Sequence, residues 1–217
     1  MFAKRRIRPE LLDHAAPETA RRNLADLVRI NQRFGGHSVL REVLARVAKQ
    51  SDEFTLLDVG AASGDSARLV REVYASASVT SLDNNATNLA AAPDPKAIAD
   101  AFALPFGADS FDFVLASLFL HHFSDERVTE LLGSLYRVAR KALLICDLER
   151  RVLPYCFLPA TKPFLGWNRI TVHDGMVSVR AGFQAGELLA LVRDAGIRNA
   201  EVETHRPAFR ISVVARK

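Results

Sequence analysis

The sequence predicts an α/β fold: a doubly wound, seven-stranded, mostly parallel sheet that ends in a C-terminal antiparallel hairpin. Five short apolar stretches between residues 54 and 146 alternate with segments of helical periodicity, which is typical of a parallel sheet with helices on both faces. The stretch 111–118 is almost wholly apolar, as expected of a strand buried on both faces. Two β-like segments, around 201–204 and 209–214, follow each other at the end and predict the hairpin.

The bulk composition is that of an ordinary globular protein, with 49% hydrophobic and 25% charged residues in 217. This length suits one α/β domain with a small cap. No apolar run approaches the roughly 20 residues of a membrane span, and no apolar stretch of a secretory signal follows the basic start. Cys146 and Cys156 lie in apolar surroundings, which favours free thiols in a reducing compartment. We therefore expect a cytoplasmic protein.

The positive charge is concentrated in the N-terminal segment. Residues 1–50 carry 11 basic and 5 acidic side chains, whereas the rest of the chain is slightly acidic. Two interpretations remain open: a solvated arm, or a basic lip that attracts an anionic substrate, a membrane surface or nucleic acid. Aromatic residues do not alternate with the basic ones, so stable nucleic-acid binding is not expected. A weak contact with a membrane surface through this segment stays compatible with the pattern.

The chain divides into an N-terminal helical cap, residues 1–50, and a main domain, residues 51–217. Hydrophobic periodicity in the cap predicts one helix over residues 18–33 and a second that begins at Ser38. Residues 149–182 contain three prolines, four aromatic residues and no clear period. A long irregular connector inside a compact domain is usually functional, so this segment is expected to be a substrate-covering insertion.

The other elements follow in order along the main domain. The first strand, residues 54–59, runs into a turn of small residues, Gly60 to Gly64, and then into a helix opened by Asp65. Small residues let the backbone approach a ligand closely, and a helix N-terminus presents free N–H groups. This order is typical of a nucleotide-type site, although the loop alone is a weak signal. Further strands are predicted over residues 79–83, 97–100, 111–118 and 142–146, with an Ala-rich helix after 84–85, a helix capped by Ser124 or Asp125, and a last helix over about 185–195.

Polar residues at the strand ends are the candidate ligand-binding residues, because ligands of open α/β sheets bind beyond those ends. Asp83 follows Asp58 at about the spacing of an acid that accepts from ribose hydroxyls, and a helix N-cap is its alternative role. Asp100 could accept from an adenine amino group while the Ala101 N–H donates to the ring. Its alternative role is that of a turn residue.

With these residues in this order, the chain resembles the class I S-adenosylmethionine (SAM) dependent methyltransferases from Phe54 to Cys146. The family's acidic-x-Gly-x-Gly-x-Gly motif reads here from Asp58 to Gly64, with Ala62 in place of the middle glycine. The stretch ALPFGADSFDFVLASLFLHHF is similar to the region around the fourth strand of small-molecule methyltransferases, including C-methyltransferases of quinone biosynthesis. The resemblance implies a Rossmann-like methyltransferase fold with SAM as cofactor.

The resemblance also implies which residues hold the cofactor. Gly60 and Gly64 would pass near the methionine moiety, Asp83 would hold the ribose, and Asp100 with Ala101 would hold the adenine. The complete set of expected cofactor residues is Asp58, Gly60, Ala61, Gly64, Asp83, Asn84, Asp100, Ala101 and Ser117.

Three histidines are the candidate catalytic residues, because methyl transfer to a hydroxyl or an acidic C–H requires removal of a proton. His121 and His122 follow the fourth strand, and at least one of the two is expected to be structural. His173 next to Asp174 suggests an oriented base, but adjacent residues in a loop commonly only form a turn. No Cys/His cluster has zinc-site spacing, so no metal is expected.

The candidate acceptor residues are Asn31, Arg33, Phe157 and Trp167. Arg33 could meet the methionine carboxylate or an acidic acceptor, or lie on the surface. The aromatic residues of the 149–182 segment suit a water-excluding cover for an aromatic or lipophilic acceptor. An extra core patch or a dimer contact is the alternative, and a monomer or a homodimer is expected.

The sequence thus predicts SAM-dependent transfer of a methyl group to oxygen or carbon of a small aromatic or lipophilic metabolite, as in small-molecule biosynthesis. No Asn/Asp-Pro-Pro-aromatic motif follows the fourth strand, which disfavours methylation of exocyclic amines in nucleic acid. Two alternatives stay open: a nucleic-acid or protein methyltransferase recruited by the basic N-terminal arm, and a non-catalytic SAM-binding module.

Overall fold

A seven-stranded sheet with the strand order β3-β2-β1-β4-β5-β7-β6 forms the centre of the molecule. The computed structural model describes residues 2–217, with the exception of the Asp13 side chain. The strands are β1 (Phe54–Val59), β2 (Ala77–Asp83), β3 (Lys96–Ile98), β4 (Phe111–Ser117), β5 (Ala139–Leu148), β6 (Ala200–His205) and β7 (Arg210–Arg216). The helices are α1 (Pro17–Arg33), α2 (Gly36–Ala45), α3 (Asp65–Val73), α4 (Ala86–Leu89), α5 (Asp125–Val138), α6 (Val152–Leu165), α7 (Arg169–Ala181) and α8 (Ala185–Asp194). Two short 3₁₀ helices span Leu11–His14 and Leu120–His122.

The topology confirms the predicted fold class. Strands β1 to β5 pair in parallel, whereas β7 runs antiparallel to both β5 and β6. The chain moves outward from β1 through β2 to β3 and then crosses to β4 on the other side of β1. This reversal places a topological switch point between β1 and β4, where ligands of open α/β sheets bind.

Apolar side chains on the two faces of the strands form two cores. One core joins the sheet to α5 and α8 through residues such as Leu131 and Val192. The other joins it to α2 and α3 through residues such as Val43 and Val70. The strands are therefore covered on both sides, which explains why the predicted strands read as continuous apolar runs.

The prediction of an irregular connector over residues 149–182 is wrong, because most of this segment folds into α6 and α7. Pro159 and Pro163 lie inside α6, where proline normally interrupts a helix, and they concealed it in the sequence. The two helices pack against each other. Gly175 permits this approach, since a Cβ there would lie 2.3 Å from Cδ1 of Leu158.

Smaller differences concern element boundaries. Helix α2 begins two residues before Ser38, after Gly35, whose φ of +90° suits glycine. The Ala-rich helix after β2 is a single turn, Ala86–Leu89, and the third strand comprises Lys96–Ile98 only. The other predicted strands and helices are present with shifts of a few residues at their ends.

The basic N-terminal segment packs onto the main domain through Arg5, whereas the side chains of Lys4, Arg6 and Arg8 are exposed. The guanidinium of Arg5 donates to the carbonyls of Ala181 (2.8 Å) and Phe123 (3.0 Å) and lies 4.0 Å from the ring centroid of Phe183. The side chain of Arg150 donates to the carbonyl of Phe2 at 2.9 Å. In the part of the chain that the structure describes, no helix has the length and apolar character needed to cross a membrane.

Candidate active site

A cavity of about 1280 Å³ lies beyond the carboxyl ends of β1, β2 and β4. Its floor consists of the loop after β1 and the residues that follow β2 and β4. Its cover consists of the N-terminal segment, α1, α6 and α7. The cavity therefore occupies the topological switch point and extends under the cap.

The loop after β1 has the backbone of a ligand-binding glycine turn. Gly60 and Gly64 have φ angles of +71° and +76°. A Cβ on Gly60 would lie 2.3 Å from the ring of Phe119, and one on Gly64 would lie 2.8 Å from Ala92. Ala62, at the position of the motif's middle glycine, also has a positive φ of 44°. The departure from the motif thus changes the side chain and leaves the left-handed backbone in place, at a cost of roughly 1 kcal/mol in strain.

Asp83 connects this loop to the end of β2. Its Oδ2 accepts the N–H of Ala62 at 2.9 Å, and its Oδ1 accepts the N–H of Asn85 at 2.8 Å. The N-cap of α4 is Asn85, so Asp83 does not have the capping role that the sequence left open. Asp83 and Asn84 both line the cavity, and the carboxylate has lone pairs left for further donors.

Asp58 lies behind the loop, almost completely buried and outside the cavity lining. Its Oδ2 has no hydrogen-bond partner among the described residues. Burial, and next the negative charges of Asp65 and Asp83, raise the pKa of Asp58 to about 7. Asp58 is therefore a buried residue near the end of β1 and not part of the cavity lining.

The two residues expected to hold the adenine lie apart from the other cofactor candidates. Asp100 is exposed and accepts the N–H of Phe102 in its own turn at 2.9 Å. Ala101 is buried in the core, and neither residue lines the cavity. Ala61 and Ser117, in contrast, line it together with Asp83. The adenine assignment stays a prediction.

His121 is buried next to two carboxylates. Its Nδ1 lies 2.6 Å from Oδ1 of Asp147, and its Nε2 lies 3.8 Å from Oε1 of Glu10. Burial alone would lower the pKa of His121, but Asp147 and then Glu10 raise it to about 9. The ring is therefore an imidazolium at neutral pH, which does not suit the general base expected from the sequence.

His122 and Glu10 border the cavity beside His121. The two imidazole rings stack with their centroids 4.3 Å apart. The hydroxyl of Ser178 donates to the Glu10 carboxylate, and the Asp174 carboxylate accepts the N–H groups of Leu11 and Leu12 at 2.9 and 3.0 Å. These bonds hold Glu10 over the histidine pair, across the end of β4.

Glu10 and Asp147 were not predicted as site residues from the sequence. Asp147 sits near the end of β5, and the strand-end argument applied to Asp83 could have found it. Glu10 has no local signal, because it reaches the site only through contacts with α7. His173, the third catalytic candidate, lies outside the cavity lining with 51% of its side chain exposed and its ring 2.9 Å from Asp174.

The acceptor candidates divide in a similar way. Asn31, Arg33 and Phe157 line the cavity, and the ring of Phe157 packs edge-on against Phe34 at 4.7 Å. Trp167 is buried behind this lining. Its Nε1–H donates to Oγ1 of Thr161 in α6 at 2.9 Å, so it supports the cap from within.

A polar network lies at the α1 side of the loop. Buried Arg210 donates to Oδ1 of Asn31 at 3.2 Å. The Nδ2 of Asn31 donates to Asp65 at 3.2 Å, and His37 also contacts that carboxylate, at 2.9 Å. The cation Arg210 and the anion Asp65 thus lie on either side of the Asn31 amide at the cavity wall. The positions of Arg210 and Asp65 in the sequence did not suggest this arrangement.

Residues 57–145 match the protein family described as "Methyltransferase domain". These residues form a class I SAM-dependent methyltransferase domain. The matched residues run from β1 into β5 and include the glycine loop, Asp83 and the histidine pair. The prediction of a class I methyltransferase domain with SAM as cofactor is thereby confirmed for this part of the chain, whereas the activity of the whole protein and the individual site residues stay predictions. No curated protein sequence matches the chain.

Solved structures share the fold of the methyltransferase domain. A SAM-dependent methyltransferase from Aquifex aeolicus matches 82% of this chain and 88% of its own, with 19% identity and a TM-score of 0.58. Human N-acetylserotonin methyltransferase in complex with SAM matches 92% of this chain and 56% of its own, with 17% identity and a TM-score of 0.66. A complex between the Haloferax volcanii Trm112 methyltransferase activator and its candidate methyltransferase matches 93% of this chain and 98% of its own, with 16% identity and a TM-score of 0.65. The chain spans 55% to 66% of the length of several matched proteins, and at these identities the likeness describes the fold alone.

Proposed function

We propose that this protein transfers the methyl group of SAM to an oxygen or carbon atom of a small, lipophilic or aromatic acceptor enclosed under the cap. The observation that carries the proposal is the single cavity that joins the glycine loop to an aromatic and aliphatic cover. Activity, acceptor class and partners of the whole protein are part of this proposal.

The residues of the loop side fit SAM. The left-handed turn at Gly60 and Gly64 leaves no room for side chains, so the backbone can lie against a ligand. Asp83 offers a carboxylate to ribose hydroxyls. The zwitterionic methionine end calls for one cation and one anion, and Arg210 and Asp65 supply them on either side of Asn31. When bound, SAM supplies an electrophilic methyl group on a sulfonium sulfur.

The cap side fits an acceptor that is mostly apolar and carries few polar groups. Apolar residues of α1 and α6, with Phe34 directly after α1, line this part of the cavity: Leu24, Leu27, Val28, Phe34, Phe157 and Leu158. Buried Asn23 is a polar exception, and its Oδ1 has no hydrogen-bond partner among the described residues. A hydroxyl of the acceptor would satisfy this oxygen. Enclosure of the acceptor excludes water, which would otherwise weaken the orienting contacts.

The Glu10, His121 and His122 cluster lies between the two sides and would surround the reacting atom of the acceptor. The high pKa of His121 keeps its proton in place. This residue would therefore orient the cluster and would not remove a proton at neutral pH. The proton of the acceptor would pass to Glu10 or His122, the two other residues of the cluster.

Incubation with methyl-labelled SAM and fractionated host extract tests the proposal. We expect label in small molecules that partition into organic solvent. Label confined to the RNA or protein fraction would instead support recruitment of a macromolecule by the basic segment. Undiminished SAM binding without label in any fraction would support a non-catalytic module. A cytoplasmic location and a monomeric or homodimeric state remain predictions beside this proposal.

A further inference from the structure

We propose that Glu10, His121 and His122 bind one divalent first-row transition-metal ion, such as Zn²⁺ or Co²⁺. One ligand atom from each of the three residues lies within 4.8 Å of the other two. Two imidazoles and one carboxylate form a donor set that suits these ions and leaves coordination positions open. No metal was expected from the sequence, because no Cys/His cluster has zinc-site spacing and Glu10 lies more than one hundred residues from the histidines.

The orientation of His121 supports the site. Oδ1 of Asp147 lies 2.6 Å from Nδ1 of the ring, and the same carboxylate accepts the N–H groups of Leu120 (2.9 Å) and Leu148 (2.7 Å). A bound metal ion would displace the Nε2 proton of the imidazolium to solvent, and this carboxylate–histidine pair would then hold the remaining proton on Nδ1. The lone pair of Nε2 then points towards Glu10, which is how metal-ligating histidines are commonly held.

The separations need only a small adjustment. Ligand atoms at about 2.1 Å from a tetrahedral ion lie about 3.4 Å apart. The distance from Nε2 of His121 to Oε1 of Glu10 is 3.8 Å, close to that value. A separation at the 4.8 Å limit would have to shorten by about 1.4 Å, which rotation of the His122 side chain, which is not buried, can supply.

The three ligands also face the cavity, so a molecule in the cavity can reach the open coordination positions of the metal ion. All three residues line it. An oxygen of the acceptor, or water in its absence, would complete the coordination sphere. The bonds from Ser178 to Glu10 and from Asp174 to the backbone of Leu11 and Leu12 hold the third ligand over the histidine pair.

Metal binding is measured by calorimetric titration of Zn²⁺ into chelator-treated, tag-free protein in the absence of SAM and acceptor. We expect one equivalent to bind with an affinity that falls at least about 10-fold in His122→Ala and in Glu10→Gln. Asp147→Asn, which keeps all three ligands but weakens the orientation of His121, should lower the affinity by about 10- to 100-fold. His14→Ala is the matched control, because His14 is an exposed histidine outside the cluster and its removal should change nothing.

A second measurement covers the case in which a variant does not fold. Wild-type protein loaded with Co²⁺ should show the intense visible absorption of a four- or five-coordinate ion, and Zn²⁺ should displace it. Equal Zn²⁺ affinity in wild type, His122→Ala and Glu10→Gln, or a Co²⁺ spectrum of the aquo ion alone, would overturn the proposal. Failure of methyl transfer is a separate result, because metal binding is measured without SAM and acceptor.

Discussion

Among single residues, the acidic side chains at the carboxyl ends of β1 and β2 show how burial divides related positions into different roles. Asp83 lines the cavity and joins two loops through its hydrogen bonds. Asp58 is sealed below the same loop, where burial raises its pKa. Asp83 was predicted as a cofactor residue from its spacing and Asp58 from the resemblance of the glycine-loop motif, and burial distinguishes the two. Such a distinction depends on packing from distant segments, which spacing does not encode.

Asp58→Asn should change how stability depends on pH. The pKa of Asp58 is raised in the folded protein from about 3.8 to about 7. Its contribution to stability is therefore complete below about pH 4 and is lost as the pH rises to about 7. Relative to the Asn variant, the wild-type free energy of unfolding should fall by up to about 4 kcal/mol over this range. Urea unfolding at a series of pH values measures this difference, and parallel curves for the two proteins would contradict it.

Asp83→Ala should weaken SAM binding by about 1.5–3 kcal/mol, because a charged acceptor of hydrogen bonds is lost at the cavity. Asp100→Ala tests the adenine assignment beside it, and we expect a smaller loss there, since that carboxylate is exposed outside the cavity lining. Isothermal titration calorimetry with SAM measures both. An equal loss in the two variants would restore the adenine role that the sequence assigned to Asp100.

At the scale of elements, hydrophobic periodicity and capping residues predicted the strands and helices whose ends are set by neighbouring residues in the sequence. Strand β1 spans Phe54–Val59 as expected, because its apolar run ends at a glycine turn. Helix α5 begins after Ser124, whose hydroxyl accepts the N–H of Arg127, as the N-cap signal indicated. Helix α6 violates local rules with two internal prolines, and packing against α7 stabilises it instead. The element that covers the acceptor was therefore the one hardest to predict.

Phe157→Ala should raise the KM for the acceptor by about 10-fold or more, because an apolar contact of about 2 kcal/mol is lost at the cavity. The affinity for SAM should not change, since Phe157 belongs to the cap. Phe164→Ala, also in α6, removes a ring that is 85% exposed and should leave KM unaffected. Steady-state kinetics with the acceptor identified from the labelling experiment compares the two variants. A similar KM for Phe157→Ala and wild type would place the acceptor away from α6.

At the scale of the whole molecule, buried polar contacts join the first residues to the middle of the chain. The Arg150 side chain is fully buried and contacts Glu187 at 2.8 Å, the carbonyl of Gly182 at 2.8 Å and that of Phe2 at 2.9 Å. Sequence alone predicted the class of the sheet, because alternation of strands and helices is a local signal. These long-range hydrogen bonds were not predictable, since the sequence does not distinguish a buried arginine in a loop, such as Arg150, from an arginine on the surface.

Arg150→Leu should destabilise the protein by about 3 kcal/mol, because Glu187 and the carbonyls of Gly182 and Phe2 lose their partner. Arg21→Ala is the control, as its ion pair with Glu18 is exposed and should contribute less than about 1 kcal/mol. Chemical unfolding measures both changes. Equal stability of the two variants would show that the hydrogen bonds of Arg150 do not contribute to the free energy of unfolding.

The partners of the N-terminal segment also set an order of events during synthesis. Phe2 and Ala3 bond to Arg150, Leu11 and Leu12 to Asp174, and Glu10 to Ser178. The ribosome synthesises residues 2–12 long before their partners at residues 150–178. The N-terminal segment can therefore make these bonds only after α7 has left the exit tunnel. Strand β7, which pairs with β5, emerges later still. The contacts of the first residues can therefore form only after α7 has been synthesised, and a nascent chain truncated before α7 would lack Asp174 and Ser178, the residues that hold Glu10 over the histidine pair.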